Sequence, residues 1–211
     1  MGGLSFGAVS TPAIDIVMPI KDVESIVRGA LDSLVNQDFR DFRLIVVDGD
    51  SQDASREVVR EYESQLAIEM TSTEDRNLTE AINRGFLRCR APIVSILCAD
   101  ERYLPDTLGR ANAFFYESPE VVAAVGQSQR EVDEVSQYEP EVGSLLPFDV
   151  QRHLSCEQVW PISATFFNRQ VLGRNLVYNN VAVHCPDYEL WGRLGALYPS
   201  DRLSPNGTWR V

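Results

Sequence analysis

The sequence predicts an α/β protein with a mostly parallel sheet and helices between the strands. Three observations predict it. Short apolar runs of strand length alternate with stripes of helical spacing. The polar clusters at 48–53 and 98–101 follow apolar runs, where ligands gather in such sheets. The composition is ordinary for a globular chain, with 211 residues, 44% hydrophobic and 24% charged. A chain of this length buries a sizeable core without staples.

Residues 1–12 hold three Gly and one Pro and read as a flexible lead-in to a single domain over 13–211. Residues 13–18 form a mostly buried strand that Pro19 ends. Val23, Ile26, Val27, Ala30, Leu31, Leu34 and Val35 recur at helical steps, with Asp22 as the expected N-cap. Residues 43–47 are a second apolar strand. After a turn at 48–51, Asp53 caps a helix reaching about residue 64. Residues 66–70 are a third strand, and Leu78, Ala81, Ile82 and Phe86 a helical stripe. A fourth strand spans 93–97. Pro105 suits the first turn of a helix that ends near Ser118 and Pro119. A fifth strand follows at 121–125. Residues 130–141 carry five acids and one base and read as a solvated loop. Regular structure resumes at 162–167, with a short helix to Leu172 and a last helix over 187–197.

The charge balance is 19 minus 31, or −12. Such a field repels nucleic acid and anionic lipid, so neither is an expected partner. Cys89, Cys98, Cys156 and Cys185 form no Cys-x-x-Cys pair, and His153 and His184 are the only histidines. A zinc knuckle is excluded on that count, and a lone His184 reads as structural. No leader pattern is visible, and no apolar stretch of membrane-spanning length, so no integral membrane segment is expected; the four cysteines read as reduced thiols, so the expected location is the cytoplasm. Neither Gly-x-Gly-x-x-Gly nor Gly-x-x-x-x-Gly-Lys occurs.

Five segments, in order, resemble the inverting family 2 glycosyltransferases of GT-A type fold. Ile16-Val17-Met18-Pro19 is similar to the opening strand and proline. The run from Val46 to Asp53 resembles Val-Val-Asp-Asp-Gly-Ser-x-Asp. The run from Glu74 to Gly85 resembles Asp-x-Gly-(Ile/Leu)-x-(Asp/Glu)-Ala-x-Asn-(Lys/Arg)-Gly. Leu97-Cys98-Ala99-Asp100-Glu101 stands where Leu-Asn-Ala-Asp-Asp or Leu-Asp-Ala-Asp-Asp is usual. Pro186-Asp187-Tyr188-Glu189-Leu190-Trp191-Gly192-Arg193-Leu194 resembles the segment carrying the catalytic base.

The resemblance implies a nucleotide-diphospho-sugar donor, a saccharide or other hydroxyl acceptor, and Mg²⁺ or Mn²⁺. It implies a donor half over 13–128 and an acceptor half over 129–211. Pro19, Asp48, Asp50, Arg76, Asn83 and Asp100 fall on the donor side. Asp100 and Glu101 are the expected metal carboxylates, since hard divalent ions take carboxylate oxygen. Asp187 is the expected general base, which an acceptor hydroxyl needs in the transition state. Trp160 and residues 163–167 stand where the acceptor side is lined, or belong to the core. Three features depart from the pattern: Cys98 replaces an acid or Asn, Cys185-Pro186 replaces a preceding Glu, and the sequence stops at Trp209-Arg210-Val211, about where the His of a Tyr-Arg-x-His segment would come, so that segment either belongs to a longer parent protein or is lacking. They leave open a non-catalytic nucleotide- or sugar-binding module, or a domain of a larger protein. A nucleotidyltransferase is a weaker alternative, for want of a Gly- and Arg-rich entry loop.

Overall fold

The computed structural model describes residues 11–211 except 75–76, 129, 133–134, 138–146, 159, 183–184, 205–206 and 208–210. The lead-in 1–10, Arg76, His184 and Trp209-Arg210 therefore lie outside the described residues. In chain order come β1 (Ile14–Ile20), α1 (Val27–Val35), β2 (Phe42–Asp48), α2 (Ser55–Arg60), β3 (Ile68–Ser72), α3 (Leu78–Arg88), β4 (Ile93–Ile96) and α4 (Thr107–Glu117). They are followed by β5 (Ala123–Val125), β6 (Arg130–Val132), β7 (Val135–Gln137), α5 (Val150–Leu154), β8 (Thr165–Asn168), α6 (Arg169–Leu172), α7 (Pro186–Leu197) and β9 (Leu203–Ser204).

Among the described residues seven strands form one sheet in the order β3-β2-β1-β4-β8-β5-β9, and only β8 runs antiparallel to its neighbours. β1 lies between β2 and β4, in register Ile14 with Phe42 and with Ile93. All seven of its residues are buried. Side chains alternate across a strand. Ile14, Ile16 and Met18 accordingly pack with Leu31 and Leu34 of α1 and Leu108 of α4. Val17 instead packs with Ile45 and Val47 of β2 and Ala81, Ile82 and Phe86 of α3. Burial on both faces is why the strands read as continuous apolar runs.

Asp15 sits inside β1 without solvent exposure. Its cross-strand neighbour Arg43 pairs with it at 2.9 and 3.1 Å, and the Ala91 N–H donates to it at 2.8 Å. A buried charge persists only when paired and hydrogen-bonded in this way.

Several expectations shift. Asp22 does not cap α1: it lies at φ 51, and its carboxylate accepts the Gln52 N–H at 2.7 Å. Pro105 precedes α4 rather than opening it, with Asp106 between them as the N-cap residue at φ 66. α2 ends at Arg60, and turns continue to Gln65. β3 begins at Ile68, two residues later than expected, although the Ala67 carbonyl already accepts from Leu44 N–H of β2. The charged stretch 130–141 contains an antiparallel ribbon, β6 with β7, in which Val132 pairs with Val135. The charge count hid two short β-branched strand signals. Among the described residues no helix is long and apolar enough to cross a membrane.

Gly85 on α3 tests the closeness of helix and sheet. A Cβ there would stand 2.3 Å from Val17 Cγ1. Alanine alone favours a helix by up to about 1 kcal/mol over glycine, but forced overpacking costs about 1–3 kcal/mol. Gly85→Ala should therefore lower the urea unfolding midpoint; a midpoint at or above wild type would mean that α3 moves off β1 without penalty.

Candidate functional site

The carboxyl ends of β1, β2 and β4 bring three polar loops together, and the first two are tied to each other. The Asp22 N–H donates to Ser51 Oγ at 3.0 Å, the Val23 N–H to Ser55 Oγ at 2.8 Å, and the Glu24 N–H to Asp53 Oδ2 at 3.0 Å. In return Asp22 accepts from Gln52 N–H, and Glu24 accepts from Ala54 N–H at 2.8 Å. The Ser55 hydroxyl, with the N–H groups of Glu24 and Ser55, holds the Asp53 carboxyl below its usual range. Ser51, Asp53 and Ser55 thus fix the β1–α1 loop against the β2–α2 loop.

Asp48 ends β2 and is fully buried. Its Oδ1 accepts from Ser51 N–H at 3.1 Å and its Oδ2 from the Ser72 hydroxyl at 2.7 Å, with Arg56 Nη1 at 3.5 Å. It has no surface open to a ligand as it stands; a nucleoside contact requires Ser72 or Arg56 to turn aside. Asp50 is exposed at φ 62, and its carbonyl accepts from Gln52 Nε2. The related pattern has Gly at this place, and the left-handed backbone explains why; Asp is among the few other residues that adopt it readily. Pro19 is buried opposite Val47, beyond the last β1–β4 pair at Val17 and Ile96, so its missing N–H leaves no ladder bond to β4 unmade.

The loop after β4 brings Cys98 Sγ, an Asp100 oxygen and a Glu101 oxygen within 4.8 Å of one another. Asp100 is exposed, and among the described residues its carboxylate has no hydrogen bond. Glu101 is held from inside: its Oε2 accepts from the Ser163 hydroxyl and from Cys98 N–H at 3.3 Å. Burial pushes the Cys98 thiol pKa up, and the neighbouring Glu101 and Asp100 charges push it further. Two hard carboxylates at one rim suit a hydrated divalent ion that keeps phosphate oxygens among its ligands. The thiol is a poor partner for such an ion.

Asp187 lies in the first turn of α7, where Pro186 fills a position that needs no N–H donor. The Tyr178 hydroxyl donates to its Oδ1 at 2.7 Å. Burial raises the Asp187 pKa, against the preference of a helix N-terminus for the ionised form, and the Tyr178 bond opposes the rise. The Tyr178 hydroxyl pKa is itself driven up by burial, then by Asp187, and by Cys98 from the β4 loop. Tyr178 therefore lies within electrostatic reach of both polar centres.

Asn83 of α3 does not stand alone. Its Oδ1 accepts from Tyr178 N–H at 2.8 Å, and its Nδ2 donates to Tyr178 O at 2.9 Å and Asn180 Oδ1 at 3.0 Å. Trp160 is core: it is buried with Phe148 and Trp191, ring centroids 5.2 and 4.8 Å away. Phe166 and Phe167 are core as well. Asp149 caps α5 through Arg152 N–H, and Glu189 pairs with Arg193 at 2.9 Å, so both carboxylates have structural work. Sequence reasoning missed Tyr178, Ser72 and Arg56. Tyr178 carries no local signal beyond standing nine residues before Asp187.

A sequence profile described as Glycosyl transferase family 2 matches residues 15–179. A PGL/p-HBAD biosynthesis glycosyltransferase of Mycobacterium bovis is 30% identical over 112 residues, 52% of this chain and 44% of the relative. This chain thus spans about half the length of that relative. The O-antigen biosynthesis glycosyltransferase WbnJ of Escherichia coli is 21% identical over 183 residues, 86% of this chain and 71% of the relative. The crystal structure of S. aureus TarS 1-349 in complex with UDP-GlcNAc superposes with a TM-score of 0.73 at 16% identity, over 94% of this chain and 58% of that one. The mannosyltransferase PcManGT from Pyrobaculum calidifontis, in complex with GDP-Man and Mn2+, gives 0.68 at 20% identity, over 96% and 57%. The fold is of GT-A type.

The four cysteines test the burial at the β4 loop. Cys156 and Cys185 are exposed and Cys89 is buried. Only the thiolate alkylates readily, so iodoacetamide at neutral pH should label Cys156 and Cys185 first. Cys98 and Cys89 should resist until denaturant is added. Peptide mass spectrometry reads the order, and early labelling of Cys98 would mean an open loop.

Proposed function

This chain belongs to glycosyl transferase family 2, and we propose that it moves a sugar from a nucleoside-diphosphate sugar to an acceptor hydroxyl, with inversion at the anomeric carbon. The observation that carries the reading is Asp187: a half-buried carboxylate at the start of α7, held by Tyr178, with one oxygen left for a proton. A raised pKa makes it a stronger base once ionised. Its Oδ2 has no hydrogen bond among the described residues and is the atom that takes the acceptor's proton as the sugar bond forms. The donor half is 13–128 and the acceptor half 129–211. The tied loops after β1 and β2 shape the nucleoside end, with Pro19, Asp48 and Asp50 as scaffold. Structural relatives bound to UDP-GlcNAc and to GDP-Man support the donor class.

The residues at the β4 loop fit a divalent ion, Mg²⁺ or Mn²⁺: Asp100 offers an unbonded carboxylate and Glu101 keeps Oε1 available. When bound, the ion stabilises charge developing on the leaving diphosphate. The reaction belongs in the cytoplasm, in keeping with four free cysteines. A second reading, a non-catalytic nucleotide- or sugar-binding module, is favoured by Cys98 and by Cys185-Pro186, which stand where acids are usual. A product assay with a binding donor separates the two.

Calorimetry with UDP, GDP and dTDP, each with and without Mn²⁺, should find metal-dependent binding that Asp100→Ala weakens sharply. Cys98→Asp should bind at least as well, because it restores an oxygen donor. Unchanged affinity in Asp100→Ala removes that residue from the metal site. Loss of binding in a folded Cys98→Asp variant overturns the alignment of this loop.

Asp187→Asn keeps size and removes the proton acceptor. Donor affinity should hold while kcat falls roughly 10²–10⁴-fold, the range for a positioned base. In the wild type the rate should rise with pH through the Asp187 pKa, because only the ionised form accepts a proton. The acid limb should therefore lie above the pKa of an ordinary aspartate, the direction in which burial moves the group. Wild-type turnover in Asp187→Asn places the base elsewhere.

A further inference from the structure

We propose that Tyr178 is a positioning residue for the base: its hydroxyl fixes which Asp187 oxygen faces the acceptor, and Asn83 and Arg193 fix Tyr178. The inference rests on the reading of Asp187 as the base and adds a residue that the sequence pattern did not offer.

The loop carrying Tyr178 is held from two helices. On one side, Asn83 of α3 bonds both the N–H and the carbonyl of Tyr178. Phe86, three residues further along α3, stacks on the Tyr178 ring at 6.1 Å and 12°. On the other side, Arg193 of α7 donates to the carbonyls of Asn175, at 2.8 Å, and Val177. Arg193 is itself held by Glu189. Backbone and ring are therefore fixed, and the freedom left to Tyr178 is rotation of its O–H. That hydroxyl is buried with the side chain, which is 2% exposed, and donates to Asp187 Oδ1 at 2.7 Å.

Among the described residues Asp187 is thus bonded on one oxygen only. A short bond from a phenol to a carboxylate sets the rotation of the carboxylate plane and aims Oδ2. It also favours the ionised, proton-accepting form. Among the described residues the surrounding titratable groups do not supply this. Cys98, from the β4 loop, acts on Tyr178. On α7 itself Glu189 is paired with Arg193, and the Tyr188 hydroxyl donates to the Leu154 carbonyl. On α5, which packs against α7, His153 meets the Tyr188 carbonyl at 2.8 Å, and the Arg152 N–H caps into Asp149.

A buried tyrosine also needs a partner for its own sake, so the test must read more than stability. Tyr178→Phe keeps the ring and its stacking and removes the hydroxyl alone. With ¹³C-labelled aspartate, carboxyl titration by NMR follows Asp187 directly, Asp187→Asn identifying its signal; neither donor nor acceptor is needed. The Asp187 midpoint should move up in Tyr178→Phe, because a donor to the ionised form is lost. With a nucleotide sugar and acceptor found by product assay, kcat should fall roughly tenfold, the scale of a hydrogen bond to a charged group. Donor KM should hold, and the acid limb should move to higher pH. Asn83→Ala should shift midpoint and kcat the same way by less, and adding Tyr178→Phe to Asp187→Asn should cost nothing more. An unmoved midpoint and unchanged kcat in folded Tyr178→Phe overturn the proposal while leaving Asp187 as the base. Wild-type turnover in Asp187→Asn overturns the base reading itself.

Discussion

Burial of β1 and β2 on both faces is the constraint from which the rest follows. Each strand gives one set of side chains to the α1 and α4 side and the alternate set to the α3 side. Almost no polar group can remain between those layers. Asp15 is one that does, and it is held there by Arg43 and the Ala91 N–H. Polar chemistry is therefore displaced to the strand ends. Because β1, β2 and β4 run parallel, their carboxyl ends all open on one edge of the sheet.

An edge built from loops must be stiffened to hold a ligand, and here the stiffening comes from short side chains bonding to backbone. Ser51, Asp53 and Ser55 receive the N–H groups of Asp22, Val23 and Glu24, and Asp22 and Glu24 return the bonds. The α7 end is fixed differently. Asn83 and Arg193 grip one loop from opposite helices, so the position of Asp187 relative to α3 depends on that loop. Two residues quoted for their place in a family pattern, Asn83 and Arg193, thus have mechanical tasks that the structure makes explicit.

The parallel half of the sheet was legible because strands buried on both faces leave unbroken apolar runs, and the helices between them leave a clear period. The antiparallel β8 was not, since a run such as Thr165–Asn168 carries no mark of its direction. The ribbon β6–β7 was hidden by charge. In the site, Asp100 and Asp187 lay in recognisable segments; Asp100 falls in the loop after β4 and Asp187 in the first turn of α7. The bonds that make Asp187 more than a helix-start acid join residues 83, 178 and 187. Contacts so far apart in sequence leave no periodicity to read. Asp50 shows the reverse: the residue looked chemical, yet its φ of 62 accounts for the position through the backbone alone.

The two exceptional acids of the site have opposite surroundings, and the difference matches the tasks assigned to them. Asp100 is exposed and carries no hydrogen bond among the described residues, which suits a ligand that must approach from solvent with its own waters and phosphates. Asp187 is half-buried, which raises its pKa, and it is bonded by Tyr178 on Oδ1, which opposes that rise and fixes the direction of the carboxylate. Glu101 lies between these cases, since Ser163 from the segment before β8 holds one of its oxygens. Ser163 thereby links the β4 loop to the later half of the chain, as Asn83 links α3 to the Tyr178 loop. These polar bridges act beside the packing, since β8 pairs with β4 and β5 and Phe167, Trp191 and Leu194 share a core with Val17 and Val94.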